Sequence, residues 1–130
     1  MKKVVVLLLL MVSTNVFAEW SKLGDSSDKE STVYVDFETI KRKGNKVKMS
    51  YLLDFKSVKT IGNISFLSSV FYTEFDCEEE TGRLIDASLY LRNMLMGGVV
   101  DSMSNMKNEP TSIQPLTTEQ LLFKIACYKK

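Results

Sequence analysis

The sequence predicts an α+β protein with an antiparallel β-sheet of about six strands and a C-terminal helix tethered to one face by a disulfide. Segments with period-two alternation or β-branched and aromatic residues fill most of the chain and are separated by turn residues. A segment with helical periodicity follows Pro110 and Pro115. One cysteine ends a predicted strand, and the other lies in the predicted helix.

Residues 1–18 are typical of a cleaved secretory signal peptide. Lys2 and Lys3 precede an uninterrupted apolar run over 4–12, and a polar stretch separates that run from Ala18. We expect cleavage between Ala18 and Glu19, which leaves a single domain over 19–130. The alternative is a buried or membrane-spanning helix, but the apolar run has only about half of the roughly 20 residues that a bilayer requires.

The strongest strand signal lies in residues 46–56, where apolar and polar side chains alternate with a period of two. Short segments rich in glycine, asparagine and charged residues, such as 43–46 and 78–82, predict tight turns between strands. The other predicted strands cover residues 20–23, 33–37, 64–77, 83–91 and 99–103.

A short helix is predicted from about 118 to 128. Thr117 is a favourable N-cap, and Gln120 stands three residues later, the spacing of a capping box. The pattern predicts one apolar helical face, formed by Leu121, Leu122, Ile125 and Ala126.

The two cysteines, Cys77 and Cys127, both lie in the exported part of the chain. In an oxidising compartment, an even pair in a small domain predicts a disulfide. The alternative is a pair of free thiols with one reactive member. A nucleophilic cysteine needs a base, and the chain contains no histidine, so the disulfide is favoured.

Charge and composition argue against two classes of function. Loss of Lys2 and Lys3 with the signal peptide lowers the formal net charge from +1 to −1, which gives no basic field for nucleic acid. Without histidine, the common nucleophilic systems and the commonest metal ligand are missing. We therefore expect a protein that is not an enzyme and has no metal or other cofactor.

Four groups of residues in the sequence are candidate sites. The acids Glu74, Asp76 and Glu78 share one side of a strand, but a carboxylate active site is disfavoured, because acids at strand ends are usually solvated. Residues 78–80 (EEE) are read as a solvated turn rather than a calcium site. Residues 94–96 (MLM) contain thioethers that suit copper(I), although core packing is the favoured interpretation.

The main basic cluster consists of Lys41, Arg42 and Lys43, with Lys46 and Lys48 following. It is the candidate binding patch, for an acidic glycan or a matrix protein. The alternative is that these charges keep a hairpin soluble and protect an edge strand from aggregation.

Several short strings, taken in order, resemble the surface-adhesin protein E family of small exported bacterial proteins. The matching residues are 34–36 (YVD), 39–40 (TI), 44–45 (GN), Val47, 52–56 (LLDFK), 74–77 (EFDC), Arg83, 97–100 (GGVV) and 123–127 (FKIAC). The resemblance implies a six-stranded antiparallel sheet with a disulfide-tethered C-terminal helix.

The resemblance also implies binding to host extracellular-matrix or serum proteins, as some members do, and a location in the periplasm, at the cell surface or outside the cell. The alternative function is a periplasmic structural or envelope-associated protein without a host ligand, because the chain lacks the lipid-attachment cysteine of the best-known adhesin. No transmembrane segment is expected after cleavage, and the oligomeric state stays open.

Overall fold

The computed structural model describes residues 19–128. The strands are β1 (Ser21–Asp25), β2 (Ser31–Lys43), β3 (Lys46–Ile61), β4 (Ile64–Asp76), β5 (Thr81–Tyr90), β6 (Val99–Met103) and β7 (Thr111–Ser112), and the helix is α1 (Thr118–Tyr128). The predicted signal peptide lies outside this range and stays a prediction.

The strands form one antiparallel sheet in the sequential order β1-β2-β3-β4-β5-β6, and the short β7 pairs with the other end of β5. Sequential neighbours pair because tight turns, such as the one at Gly44, reverse the chain between long strands. The predicted fold class is confirmed. β2 and β3 extend beyond their predicted ends at 37 and 56, and the sequence analysis did not predict β7.

The helix covers one face of the sheet and forms the main core with it. Alternate residues of the central strands point to this face and are fully buried, as Val35, Val47 and Met49 show. Phe75 of β4 packs edge to face on Phe123 of α1, with ring centroids 5.7 Å apart. This packing gives the short helix a stability that its length alone does not supply.

Gly82 of β5 lies close to both the sheet residue Phe75 and the helix residue Glu119. A β-carbon there would stand 3.0 Å from the ring of Phe75 and 3.3 Å from Oε2 of Glu119. A larger residue at 82 would therefore have to displace the Phe75 ring, which packs on Phe123.

The N-terminus of α1 is capped as predicted, with one difference in the return contact. The backbone N–H of Gln120 donates to Oγ1 of Thr117 at 3.1 Å, whereas the Gln120 side chain accepts from the N–H of Leu116, one residue before the cap. The predicted buried face is partly wrong. Leu121 is 44% exposed, and the buried helix residues are Leu122, Phe123, Ala126 and Cys127. The helix is rotated about its axis because Phe123 and the disulfide both point into the core.

The predicted disulfide between Cys77 and Cys127 is confirmed. It joins the residue after β4 to the last turn of α1, across a sequence separation of 50 residues. Because Cys127 lies in the buried layer, the link holds the C-terminal end of the helix on the sheet.

The segment between β5 and β6 folds over the opposite face of the sheet. Oγ of Ser68 accepts from the N–H of Leu95 at 2.8 Å and donates to the carbonyl of Arg92 at 2.6 Å. The expectation that Met94 and Met96 fill the core is wrong, because their exposed fractions are 39% and 62%. Among residues 19–128, no helix has the length and apolar character needed to cross a membrane.

Candidate functional site

The predicted binding patch lies at the C-terminal end of β2 and borders an open cleft of about 570 Å³. The cleft is lined by Lys41, Arg42, Lys43, Lys46, Lys48, Tyr72 and Glu74, which come from β2, β3 and β4. The structure therefore brings the predicted patch together with the two later lysines. It adds one aromatic and one acidic side chain from the neighbouring strand.

An irregularity in β2 decides which face these side chains occupy. Before it, Val35 pairs with Tyr51 and points to the helix face; after it, Lys41 pairs with Lys48, so the alternation is shifted by one position. Without this shift, Lys41 and Lys43 would point toward the helix like Val33 and Val35. The shift places both lysines on the face opposite to α1.

The irregular segment has its own hydrogen bonds. Buried Asp36 accepts the N–H of Glu38 at 3.0 Å, and its carbonyl accepts the Thr39 hydroxyl at 2.7 Å. The same hydroxyl oxygen accepts the N–H of Ser50 on β3 at 2.9 Å. These contacts satisfy backbone groups that are left unpaired where the regular pairing of β2 with β3 is interrupted.

Arg42 is separated from its two lysine neighbours by the same alternation. It pairs with Val47, on the helix face, and Nη1 of its guanidinium donates to the carbonyl of Cys127 at 3.1 Å. Nε donates to the carbonyl of Gly44 at 2.9 Å. Arg42 borders the cleft, but its charge is directed at the C-terminal end of α1, where a cation complements the helix dipole.

The acidic member of the cleft is already paired. Oε1 of Glu74 accepts from Nε of Arg83, on the neighbouring strand β5, at 3.0 Å. Oδ1 of Asp76 accepts the N–H groups of Glu78 and Glu79 and so holds the turn after β4. Oε1 of Glu78 accepts from Nδ2 of Asn45 at 3.0 Å, so the three acids Glu74, Asp76 and Glu78 each have a structural partner. In the range 19–128, no three His, Cys, Asp or Glu residues are grouped closely enough to hold a metal ion.

Tyr72 was not identified from the sequence. Alternation along β4 places it on the same face as Glu74, and this signal was present in the sequence. Its position beside the lysines depends on the pairing of β3 with β4, where Ser50 is opposite Tyr72 and Lys48 is opposite Glu74.

A second, smaller cavity of about 230 Å³ lies on the helix face, near the N-terminus of α1. Its lining includes Tyr51, Asp28 and Glu119. Burial, together with the nearby Glu119 carboxylate, raises the pKa of Tyr51 to about 12, and burial also raises the pKa of Glu119. Hydrogen bonds from Ser26 and from the Glu30 backbone lower the pKa of exposed Asp28.

Comparisons with known proteins bear on the family and the fold of this chain. Residues 20–128 match the model of the family described as surface-adhesin protein E. The chain belongs to the surface-adhesin protein E family. The resemblance found in the sequence is confirmed. A search of curated proteins finds no match.

Solved structures of Haemophilus influenzae protein E share the fold. The crystal structure of protein E from non-typeable Haemophilus influenzae matches with a TM-score of 0.59 and 18% identity, over 89% of this chain and 80% of that one. Crystal form II of Haemophilus influenzae protein E matches with a TM-score of 0.65 and 16% identity, over 89% and 92%. At these identities the likeness shows the fold.

Proposed function

We propose that this chain is an exported, non-enzymatic surface adhesin that contacts a host extracellular-matrix or serum protein. The observation that carries the proposal is the match to the surface-adhesin family over residues 20–128. Some members of this family bind host proteins. The predicted signal peptide supports export, and the disulfide is of the kind that persists outside the cytoplasm.

We place the contact at the cleft rather than at the helix face. The helix face is occupied by the main core, whereas the cleft is open and lined by lysines on adjacent strands. Five cations and one carboxylate line the cleft. A concave surface on which one sign of charge predominates attracts an oppositely charged partner and orients it during encounter. A contact of this kind requires no catalytic group.

Location is tested first, by antibody labelling of intact cells and by cell fractionation. Labelling of intact cells is the expected result. Signal confined to the periplasmic fraction would contradict the adhesin proposal and favour a structural or envelope-associated protein.

Binding to a host protein is tested by measuring how much of the mature chain is retained on immobilised extracellular-matrix and serum proteins. Replacement of Lys41, Arg42 and Lys43 together by serine is expected to weaken binding to whichever protein is bound. The control removes three exposed lysines elsewhere, Lys22, Lys107 and Lys124, and so matches the change in charge. Equal binding by the two variants would exclude the patch, and no binding by the unaltered chain would contradict the proposed function.

A further inference from the structure

Four lysines of the cleft form a compact array on one face of the sheet. Lys41 and Lys43 of β2 lie directly opposite Lys48 and Lys46 of β3, in two cross-strand pairs. The ion pairs in residues 19–128 involve other cations, namely Lys56, Lys59 and Arg83. The four ammonium groups of the array therefore have no anionic partner in that range.

Such an arrangement works against the stability of the sheet. Residues directly opposite each other on antiparallel strands have β-carbons about 5 Å apart, and like charges at this distance repel. The array contains two such pairs. On β4, Glu74 lies opposite Lys48 and Asp76 opposite Lys46. Glu74 is engaged by Arg83, and Oδ1 of Asp76 accepts the N–H groups of the following turn. An anionic ligand would relieve the repulsion in both pairs, so the array is suited to a polyanion.

The geometry favours a chain that lies across the face of the sheet over a peptide that extends it. β3 already pairs with β2 on one side and β4 on the other, so a peptide lying over β3 finds no free backbone groups. β1 pairs with β2 only as far as Val35, so among residues 19–128 the outer edge of β2 is open beside Lys41 and Lys43. A peptide added there would extend the sheet and lie one strand further from Lys46 and Lys48. The two lysine pairs are two residues apart along each strand, roughly 7 Å. A linear polymer with repeated anionic groups can reach both pairs without backbone hydrogen bonds.

Two further features indicate a sulfated carbohydrate. The lysine ammonium group is a compact point charge on a flexible stem, which suits sulfate esters that approach from different directions. Tyr72 borders the same cleft, and its ring offers an apolar surface beside a hydroxyl, to which the C–H face of a sugar ring can pack.

We propose that the array of Lys41, Lys43, Lys46 and Lys48, with Tyr72 beside it, binds a linear sulfated polysaccharide. This inference deepens the proposed function and rests on it for its biological setting, because such chains occur in the host extracellular matrix. The protein contact then includes the carbohydrate carried by a matrix component.

The test measures binding of the mature chain to a size-fractionated heparin oligosaccharide by titration calorimetry over a range of salt concentrations. Tight, salt-dependent binding is expected. Replacement of Lys43 and Lys46 by serine should weaken it roughly tenfold and should lower the slope of log affinity against log salt by roughly two. The control variant, with Lys107 and Lys124 replaced by serine, loses the same charge and should bind as the unaltered chain does.

Two competitors identify the ligand class. The same oligosaccharide after desulfation should not bind, and a polyglutamate peptide of equal charge should bind more weakly. Equal or tighter binding of the peptide would overturn the carbohydrate assignment in favour of an acidic protein segment. The proposed site would be overturned if the oligosaccharide did not bind. It would also be overturned if the variant at Lys43 and Lys46 and the control at Lys107 and Lys124 lost the same affinity.

A third measurement separates this inference from the proposed function. Host cells are treated with an enzyme that removes sulfated polysaccharide, and adhesion of bacteria that display the protein is then counted. Adhesion that survives the treatment would overturn the inference and leave the adhesin function intact. Oligosaccharide binding by a protein confined to the periplasm would uphold the site and contradict the function.

Discussion

Arg42 and the lysines on either side of it carry the same charge but have different surroundings. Arg42 bonds the carbonyls of Gly44 and Cys127, while Lys41 and Lys43 face the cleft. A guanidinium directed at the last carbonyls of a helix satisfies an acceptor and complements the dipole. The role of Arg42 is therefore structural, and the lysines are the candidates for ligand contact.

Replacement of Arg42 by serine should lower the free energy of unfolding by about 1 kcal/mol, because a hydrogen bond to the helix end and a favourable charge are lost. Replacement of Lys43 by serine should leave stability unchanged or raise it slightly, since a like-charge pair with Lys46 is removed. Chemical denaturation of the two variants measures the difference. Equal losses of stability would show that Arg42 does not support the helix.

Tyr51 should make stability fall at high pH. Its pKa is raised from 10.0 to about 12 in the folded chain, so between these values the unfolded chain releases the proton while the folded chain retains it. The stabilising contribution is complete below the lower value and is lost as the pH rises to the higher one, a fall of roughly 1 to 3 kcal/mol.

The measurement compares the unaltered chain with Tyr51→Phe by denaturant unfolding at about pH 9 and about pH 12. The phenylalanine variant should lose less stability over this range, because the other titrating groups are common to both proteins. Identical pH dependence in the two proteins would show that the phenol is not shifted in the folded state.

At the scale of elements, the irregularity in β2 has the largest consequence for the site. It shifts the alternation between Val35 and Lys41 and so exchanges the two faces of the strand. The first half of β2 contributes valines to the core, and the second half contributes lysines to the cleft. A regular strand of the same sequence would bury the lysines under the helix.

The helix is held by the core and by one covalent link. Replacement of both Cys77 and Cys127 by serine should lower the free energy of unfolding by roughly 4 kcal/mol, because a long loop of the unfolded chain is no longer constrained. The expected loss is measured by denaturant unfolding. The unaltered protein in reductant should match the variant, and the variant itself should not respond to reductant.

The protein in reductant would instead keep its full stability if the disulfide did not contribute to the fold. If reductant leaves the unaltered protein as stable as before, the helix is held by Phe123 and its neighbours alone. The link between sheet and helix would then be dispensable for the fold.

At the scale of the whole molecule, the mature chain is expected to begin at Glu19 with both sulfurs oxidised. Protein recovered from the native host should give Glu19 as its N-terminal residue, and alkylation without prior reduction should modify neither cysteine. Retention of residues 1–18, or alkylation of either cysteine, would contradict the export prediction. A preparation that is reduced before alkylation is the control.

Much of the fold was predictable because its signals are local. The alternation in residues 46–56, the turn residues around Gly44 and the cap at Thr117 each depend on neighbours in sequence, and the structure confirms them. The cysteine pair was predictable for a chemical reason, since an exported chain with two cysteines and no histidine favours a disulfide.

The binding face could not be predicted from the sequence, since it depends on register. Strict alternation from Val33 and Val35 would send Lys41 and Lys43 to the helix side, and only the pairing of β2 with β3 reverses this. The same holds for Leu121, whose exposure follows from the rotation that Phe123 and Cys127 impose on the helix.

The sequence by itself determined the presence of the six main strands, where the helix begins and which two cysteines are linked, because each depends on local patterns or on a single possible pair. It did not determine the full length of β2 and β3 or the presence of β7. The tertiary structure decided which face every side chain occupies. Successive side chains of a strand point to opposite faces of the sheet. A shift of one position in the pairing register therefore moves every later side chain of that strand to the other face.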